Sequence, residues 1–316
     1  MAERHVQPNH RLIGGVTHCR SRRHHPVRPA GIDPGALGFL RTRGLGRYST
    51  RFLCRSAEGA DVTPVLEAKN LSLNFGALRA VDKLSFQLQP GERHALIGPN
   101  GAGKTSFVNL LSGLISPSTG DILLDGKPIT HMRQHERVKN GITRTFQITT
   151  LFPGLTVLET LVLVICERDG HAGQMRRTVS QQTDAIDESL TLLTSFHLRN
   201  DRNILTRHLP YGKQRLLEIA VALATRPRIL LLDEPAAGVP ISESAQVLKV
   251  VADLPKNVAV LLIEHDMELV FRFAERISVM VMGSILVQGP PLLVAADRRV
   301  REVYLGEADR GLSVGT

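Results

Sequence analysis

Residues 98–105 read Gly98-Pro99-Asn100-Gly101-Ala102-Gly103-Lys104-Thr105 and match the phosphate-binding pattern G-x-x-x-x-G-K-[ST]. The apolar run at 95–97 predicts a short strand before them. Apolar residues at 107, 110, 111 and 114 predict a helix after them, because this spacing puts all four on one helical face. A glycine-rich turn that binds nothing is the alternative. All eight positions in a strand–loop–helix setting favour a nucleotide-binding loop instead.

The chemistry of this loop explains its spacing. Glycines let the backbone wrap closely around a polyphosphate, so that N–H groups and the helix N-terminus point at anionic oxygens. Lys104 is expected to reach the β- and γ-phosphates, and the Thr105 hydroxyl to hold Mg²⁺. The nucleotide-binding candidates here are Gly98, Pro99, Asn100, Gly101, Ala102, Gly103, Lys104, Thr105 and Ser106.

Positive charge is concentrated at the N-terminus. Residues 1–60 hold 11 arginines against 3 acidic residues, whereas the rest of the chain holds 28 basic and 27 acidic residues. The nearly neutral remainder argues against a nucleic-acid groove on the folded part. Residues 1–61 lack periodicity and are predicted to be a disordered basic arm. A lipid- or nucleic-acid-binding tail, a targeting leader and an appendage without function all fit; we favour the last, because the folded pattern begins abruptly near Val65.

The cysteines and the hydropathy of the chain indicate its redox compartment and its relation to a membrane. The three cysteines, Cys19, Cys54 and Cys166, have no paired spacing, which indicates a reducing compartment rather than a disulfide framework or a metal site. No stretch approaches the roughly 18 to 20 consecutive apolar residues that a membrane-spanning helix needs. Any link to a membrane is therefore expected to run through a partner.

The order of predicted elements indicates an α/β protein: a P-loop NTPase core with a mostly parallel sheet, an antiparallel β subdomain and a helical insertion. Alternating apolar residues from Val65 predict antiparallel strands with one buried face. Phe75, at the end of this stripe, is equally compatible with stacking on a nucleotide base and with the core. Residues 143–153 are predicted to be a loop, and residues of about 148–215 the helical insertion. We divide the chain into the arm, 1–61, and one nucleotide-binding domain, 62–316.

Two continuous apolar runs, 229–232 and 258–263, predict parallel strands buried on both faces. Asp233-Glu234 and Glu264-His265 follow them, at the strand ends where ligands gather in open α/β sheets. Taken alone, these residues could be a solvated strand end and a structural histidine. Their order behind a phosphate-binding loop makes a role in catalysis the better interpretation.

In this order the motifs resemble the ATP-binding cassette of ABC transporters, over residues 65–306. Within that family, five stretches are similar to the cassettes of importers for branched-chain amino acids and related amides or urea. They are Arg144-Thr145-Phe146-Gln147, Leu209-Pro210-Tyr211-Gly212, Asp233-Glu234-Pro235-Ala236-Ala237-Gly238, Ile263-Glu264-His265-Asp266-Met267 and Val303-Tyr304-Leu305-Gly306-Glu307.

The resemblance implies a role for each matching position. Asp233 would hold the Mg²⁺ shell, and Glu234 would act as general base on the attacking water. Gln147 would contact both Mg²⁺ and that water, and its loop would sense the membrane partner. His265 would contact the γ-phosphate and stabilise developing charge. Phe75 matches the aromatic residue that stacks on adenine.

The segment Leu209 to Gln214 corresponds to the signature that acts in trans. Tyr211 and Gly212 would contact the γ-phosphate held by a second cassette, so the chain is expected to dimerise with itself or with a sister ATPase. Two positions depart from the family pattern: Pro210 replaces the usual serine, and Pro240 replaces an expected Asp or Asn. They put the trans contact and the coupling between the two sites in question, respectively.

The function that the resemblance implies is that of the ATPase subunit of an importer. ATP and Mg²⁺ would be its cofactors and multi-span permease subunits its direct partners, with a periplasmic solute-binding protein as an indirect partner. It would lie at the cytoplasmic face of the inner membrane, bound through the permease. Two alternatives remain: a lipopolysaccharide-export-type cassette, which has a similar Tyr-Leu-Gly-Glu tail, and a soluble ABC ATPase working on DNA or ribosomes. The sequence does not identify the solute.

Overall fold

The computed structural model describes residues 63–145, 151–170 and 183–310. Its ten strands in these ranges are β1 (Leu66–Phe75), β2 (Leu78–Leu88), β3 (Arg93–Ile97), β4 (Thr119–Leu124), β5 (Lys127–Pro128), β6 (Ile142–Arg144), β7 (Ile229–Asp233), β8 (Ala259–Ile263), β9 (Arg276–Val281) and β10 (Ser284–Gly289). Its α-helices there are α1 (Lys104–Ser112), α2 (Gln134–Lys139), α3 (Val157–Arg168), α4 (Thr183–Ser195), α5 (Tyr211–Ala224), α6 (Ile241–Ala252), α7 (Met267–Phe273), α8 (Pro291–Ala296) and α9 (Arg298–Arg310).

The larger sheet has six strands in the order β10-β9-β3-β8-β7-β6. All neighbouring pairs are parallel except β9–β10. This antiparallel pair is the hairpin that the apolar runs 277–282 and 285–287, joined at Gly283-Ser284, predict. Every residue of β3, β7 and β8 is buried, as the continuous apolar runs require. The mostly parallel sheet of the predicted α/β fold is confirmed.

Successive residues of the buried strands face two different cores, because side chains alternate across a strand. Leu231 and Leu261 pack with α1 and the antiparallel strands. Leu230 and Leu262 pack on the opposite face with the helices α3 to α7. Helix α1, which follows the glycine-rich loop, is thereby held between the two sheets by Phe107 and its neighbours in the core.

The smaller sheet has four antiparallel strands in the order β2-β1-β4-β5. The predicted apolar stripe of β1 is buried at Leu66, Ala68, Leu71 and Leu73. Phe75 does not continue it, since 54% of its surface is exposed. The interpretation of Phe75 as a core residue is therefore wrong: the hairpin turn at Gly76-Ala77 carries the end of the strand beyond the core.

The helical segment begins at Thr156, whose hydroxyl accepts a hydrogen bond from the Glu159 N–H at 3.2 Å, while the Glu159 carboxylate accepts one from the Thr156 N–H at 2.8 Å. This reciprocal cap fixes the start of α3, which packs against α4 and α5. The predicted loop at 143–153 is wrong at its start, because residues 142–144 pair in parallel with β7. Three residues are too short a run to show a strand period in sequence.

The predicted boundary between the arm and the ATP-binding domain stays a prediction, because residues 1–62 lie outside the described ranges. Within those ranges, each helix falls short of the length and apolar content needed to cross a membrane.

Candidate nucleotide-binding site

The carboxyl ends of three neighbouring parallel strands bring the predicted site residues together. Strands β3, β8 and β7 lie side by side, with Leu96 opposite Ile263 and Ile263 opposite Asp233. The chain leaves these strands at Gly98, Glu264 and Glu234, which therefore share one edge of the sheet. This is the edge at which open α/β sheets bind ligands.

The loop after β3 is tightly enclosed, and two of its glycines are required by their neighbours. A Cβ atom on Gly98 would overlap with the Met280 carbonyl oxygen, and one on Gly103 would overlap with that of Ala80. Gly103 also has φ of 100°, which disfavours any side chain. The Gly283 N–H donates to the Ala102 carbonyl at 2.9 Å and anchors the loop to the β9–β10 turn.

Helix α1 starts directly after this loop, so Lys104 and Thr105 occupy its first turn. The Lys104 ammonium donates to the carbonyl oxygens of Gly98 at 2.6 Å and Pro99 at 2.9 Å, inside the curve of the loop. The Thr105 residue is exposed. The loop therefore gathers a cation, a hydroxyl and a helix N-terminus, as a polyphosphate ligand requires.

Asp233 ends β7 and is buried, with its Oδ2 atom 2.7 Å from Nη2 of Arg144. The Asp233 carboxylate and the Thr105 hydroxyl are oxygen ligands of the kind that Mg²⁺ prefers. These donors fit a Mg²⁺ ion whose remaining ligands come from phosphates and water. Gln147, the third predicted ligand, lies outside the described residues.

Glu234, the predicted general base, has φ of 45°, in the left-handed region that a residue with a side chain rarely adopts. Its N–H donates to the Ile263 carbonyl at 3.0 Å, which ties it to the neighbouring strand β8. Strained backbone of this kind clusters at functional sites, where it fixes the direction of a side chain.

His265 follows β8 at the same edge with 71% of its side chain exposed. Its Nδ1 atom lies 3.7 Å from Oε2 of Glu264. The Glu264 carboxyl group itself is buried, and its Oε1 atom has no hydrogen-bond partner among the described residues. Burial raises the pKa of Glu264, although hydrogen bonds from nearby backbone N–H groups lower it in part.

This raised pKa sets an expected pH dependence of stability. The unfolded chain loses its Glu264 proton near pH 4.5, whereas the folded protein keeps it to a higher pH. Between these two values the folded state binds more protons, so the free energy of unfolding falls as pH rises. We expect Glu264→Gln to remove this decline and to raise the free energy of unfolding at pH 7, because the neutral amide carries no charge that the fold must bury.

Urea unfolding of the full chain at a series of pH values from 4 to 8 measures this effect. Glu167→Gln, at an exposed position of α3, serves as the matched control and should leave the pH profile unchanged. An unaltered profile in Glu264→Gln would show that ionising this carboxyl group is not disfavoured by the fold.

Tyr211 and Gly212 begin α5. The Gly212 N–H, which is predicted to meet the phosphate of a second cassette, donates here to Oε2 of Glu243 at 3.1 Å. Pro210 is the N-cap residue and has no side-chain acceptor for such an N–H. The Glu243 carboxylate supplies that acceptor from α6, which itself begins after Pro240.

The sequence does not predict the contacts of three residues at the site: Arg144, Glu243 and Glu264. The sequence marks Arg144 only as part of the stretch 144–147 and as a basic residue close before the predicted Mg²⁺ loop. Glu243 lies 31 positions after its partner Gly212, so no sequence period connects the two. Glu264 reads as one more acidic residue at a strand end until its burial is seen.

Comparison with known proteins gives a consistent result. A family model described as ABC transporter matches residues 81–237. The high-affinity branched-chain amino acid transport ATP-binding protein LivG of Escherichia coli is 38% identical over 252 residues, which cover 78% of this chain and 99% of that protein. The lipopolysaccharide export system ATP-binding protein LptB of Haemophilus influenzae is 36% identical over 245 residues, covering 77% and 98% of the two chains.

The fold is similar to solved structures of the same kind. The ADP conformation of an ATP-binding cassette of an ABC transporter is similar with a TM-score of 0.66 and 28% sequence identity. The similarity covers 77% of this chain and 99% of that one.

Proposed function

Because this chain belongs to the ABC transporter family of ATP-binding proteins, we propose that it is the ATPase subunit of an importer. Members of the family bind and hydrolyse ATP, and this chain is an ATPase. The proposed cargo is a branched-chain amino acid or a related small amide. The observation that carries the proposal is 38% identity over 99% of the length of LivG, a branched-chain amino acid transport protein.

The proposed chemistry is in-line attack of water on the γ-phosphate of ATP. The loop N–H groups and Lys104 would bind the phosphates, while Phe75 would stack on adenine. Mg²⁺, when bound, would neutralise phosphate charge. Thr105, Gln147 and Asp233 would hold its shell, Glu234 would accept the proton of the attacking water, and His265 would contact the γ-phosphate.

The proposed partner in hydrolysis is a second cassette, whose γ-phosphate would meet Tyr211 and Gly212 of this chain. In such a dimer the Gly212 N–H would turn from the Glu243 carboxylate to the incoming phosphate, since both are anionic acceptors for the same donor. Bound ATP would thereby stabilise the dimer, and hydrolysis would release it. The proposed site of action is the cytoplasmic face of the inner membrane, on permease subunits.

Transport by the reconstituted complex tests the proposal. The tagged chain would be purified together with its membrane partners, placed in liposomes, and assayed for ATP-driven movement of labelled leucine, isoleucine and valine. We expect uptake that requires ATP and an amino-acid-binding protein. The similarity to LptB supplies the specific alternative: partners that extract lipopolysaccharide, with no amino-acid uptake, would overturn the importer proposal in favour of export.

A further inference from the structure

We propose that Arg144 is a positioning residue, which holds the Asp233 carboxylate in place for the Mg²⁺ that accompanies ATP. The proposal rests on the proposed Mg²⁺ role of Asp233. It adds a residue that acts through Asp233 and does not itself touch the nucleotide.

The Arg144 guanidinium joins the strands of the sheet to the helix behind the phosphate loop. Its Nη2 atom donates to Oδ2 of Asp233 at 2.7 Å. Its Nη1 atom donates to Oδ1 of Asn109, and at 3.5 Å to the Ser112 hydroxyl. Arg144 ends β6, Asp233 ends β7, and the other two residues lie on α1. One side chain therefore fixes the carboxylate relative to α1.

The Arg144–Asp233 ion pair is buried, and this burial restricts the position of both side chains. Only 6% of the Arg144 side chain and 3% of the Asp233 side chain are exposed. A buried charge is costly unless it is paired, so each group keeps the other in place. The guanidinium is planar and bonds its partners on β7 and on α1 in fixed directions at once, which a lysine ammonium on a flexible stem does not.

The direction of approach distinguishes support from competition with the metal. Thr105 lies in the first turn of α1, at the mouth of the phosphate loop. Asn109 follows it by four residues, or about 6 Å along the helix axis. Arg144 therefore contacts α1 about 6 Å or more along the helix axis from Thr105, away from the start of the helix where the phosphate loop ends. Removing it should therefore weaken Mg²⁺ binding, whereas removing a competing cation would strengthen it.

The test measures ATP binding by calorimetry on the full chain with Glu234→Gln as background, so that turnover does not interfere. Each variant is titrated with ATP in Mg²⁺ and again in EDTA. We expect Arg144→Met to weaken binding in Mg²⁺ by about 10-fold or more, the usual effect of losing a residue that orients a metal ligand. In EDTA its affinity should stay within about twofold of the background, because the phosphate loop is untouched.

Two further variants guard against a purely structural explanation. Arg144→Lys keeps the charge but loses the two-partner geometry, and should weaken Mg²⁺-dependent binding to an intermediate degree. Arg168→Met is the control. It removes the ion pair between Arg168 of α3 and Glu188 of α4, in which Nη1 lies 2.7 Å from Oε1. It should change ATP binding neither in Mg²⁺ nor in EDTA. Thermal unfolding without nucleotide reports any loss of stability separately.

Three outcomes would overturn the proposal. Equal or tighter binding of Arg144→Met in Mg²⁺ would mean that Arg144 is neutral or competes with the metal. An equal loss in Mg²⁺ and EDTA would mean general damage to the site. If Mg²⁺ fails to tighten ATP binding even in the background variant, the Mg²⁺ role proposed for Asp233 falls, and the role of Arg144 falls with it.

Discussion

Glu234→Gln is expected to lower ATP turnover by about 10²- to 10⁴-fold, the usual contribution of a general base. Glutamine has nearly the same shape as glutamate but does not accept the proton of the attacking water. It is also able to adopt the same left-handed backbone as Glu234, whose φ is 45°. The loss should therefore arise from chemistry rather than from misfolding.

Phosphate release from the purified full chain measures this effect, and light scattering with ATP reports the oligomeric state. Because the phosphate loop is unaltered, the variant should still bind ATP, and the proposed dimer should persist since hydrolysis no longer releases it. Glu302→Gln, at an exposed position of α9, is the matched control and should retain full turnover. Residual turnover above a tenth of the parent rate would remove Glu234 from the role of general base.

Arg137→Met is expected to lower the free energy of unfolding by about 3 kcal/mol or more, because several buried carbonyl groups lose their donor and each unsatisfied group costs roughly 1 to 3 kcal/mol. Only 1% of Arg137 is exposed. Its guanidinium donates to five backbone carbonyl oxygens between 2.7 and 3.0 Å, those of Leu110, Leu111, Ile129, Thr130 and Met132.

Two of these carbonyls belong to the C-terminal end of α1, where unpaired acceptors and the helix dipole favour a cation. Burial lowers the pKa of Arg137 to about 10, so the group is still charged at neutral pH. Methionine fills a similar volume but leaves the carbonyl groups without their donor. The helix that carries Lys104 and Thr105 would then lose its anchor.

Urea unfolding of the full chain measures this loss. Lys139→Met, at an exposed position of the same helix α2, should stay within about 0.5 kcal/mol of the parent. Arg137→Lys keeps the charge but has fewer donors, and should fall between the two. A loss below about 1 kcal/mol in Arg137→Met would show that the five carbonyl groups find other partners, contrary to the expected cost of unsatisfied buried acceptors.

Much of the fold was predictable because its signals are local. The glycine-rich loop, the continuous apolar runs of β7 and β8, and the β9–β10 hairpin each follow from neighbouring residues, and the structure confirms them. The weaker predictions were those with little local signal. The predicted loop at 143–153 includes the last two residues of β6. The spacing of Phe75 fits both the core and base stacking, the resemblance favours stacking, and its exposure removes it from the core.

The shared sheet edge brings Gly98, Asp233, Glu234 and His265 together. The binding roles of Gly98 and Asp233 and the catalytic roles of Glu234 and His265 stay predictions. Gln147 lies outside the described residues. The Gly212 N–H donates to Glu243 of α6 within this chain, and the predicted role of Tyr211 and Gly212 in trans stays a prediction as well.

By itself, the sequence determined the order of the motifs, the α/β class and the family, since these depend on residue types at short, fixed spacings. Only the tertiary structure decided which charges are buried and what they pair with. Arg144 and Asp233 are 89 positions apart, and Gly212 and Glu243 are 31 apart, yet each pair forms a hydrogen bond. Such pairings arise from the packing of strands and helices against one another. They are not predictable from the sequence periods of two or 3.6 residues, because these periods describe only which side chains share a face within one element.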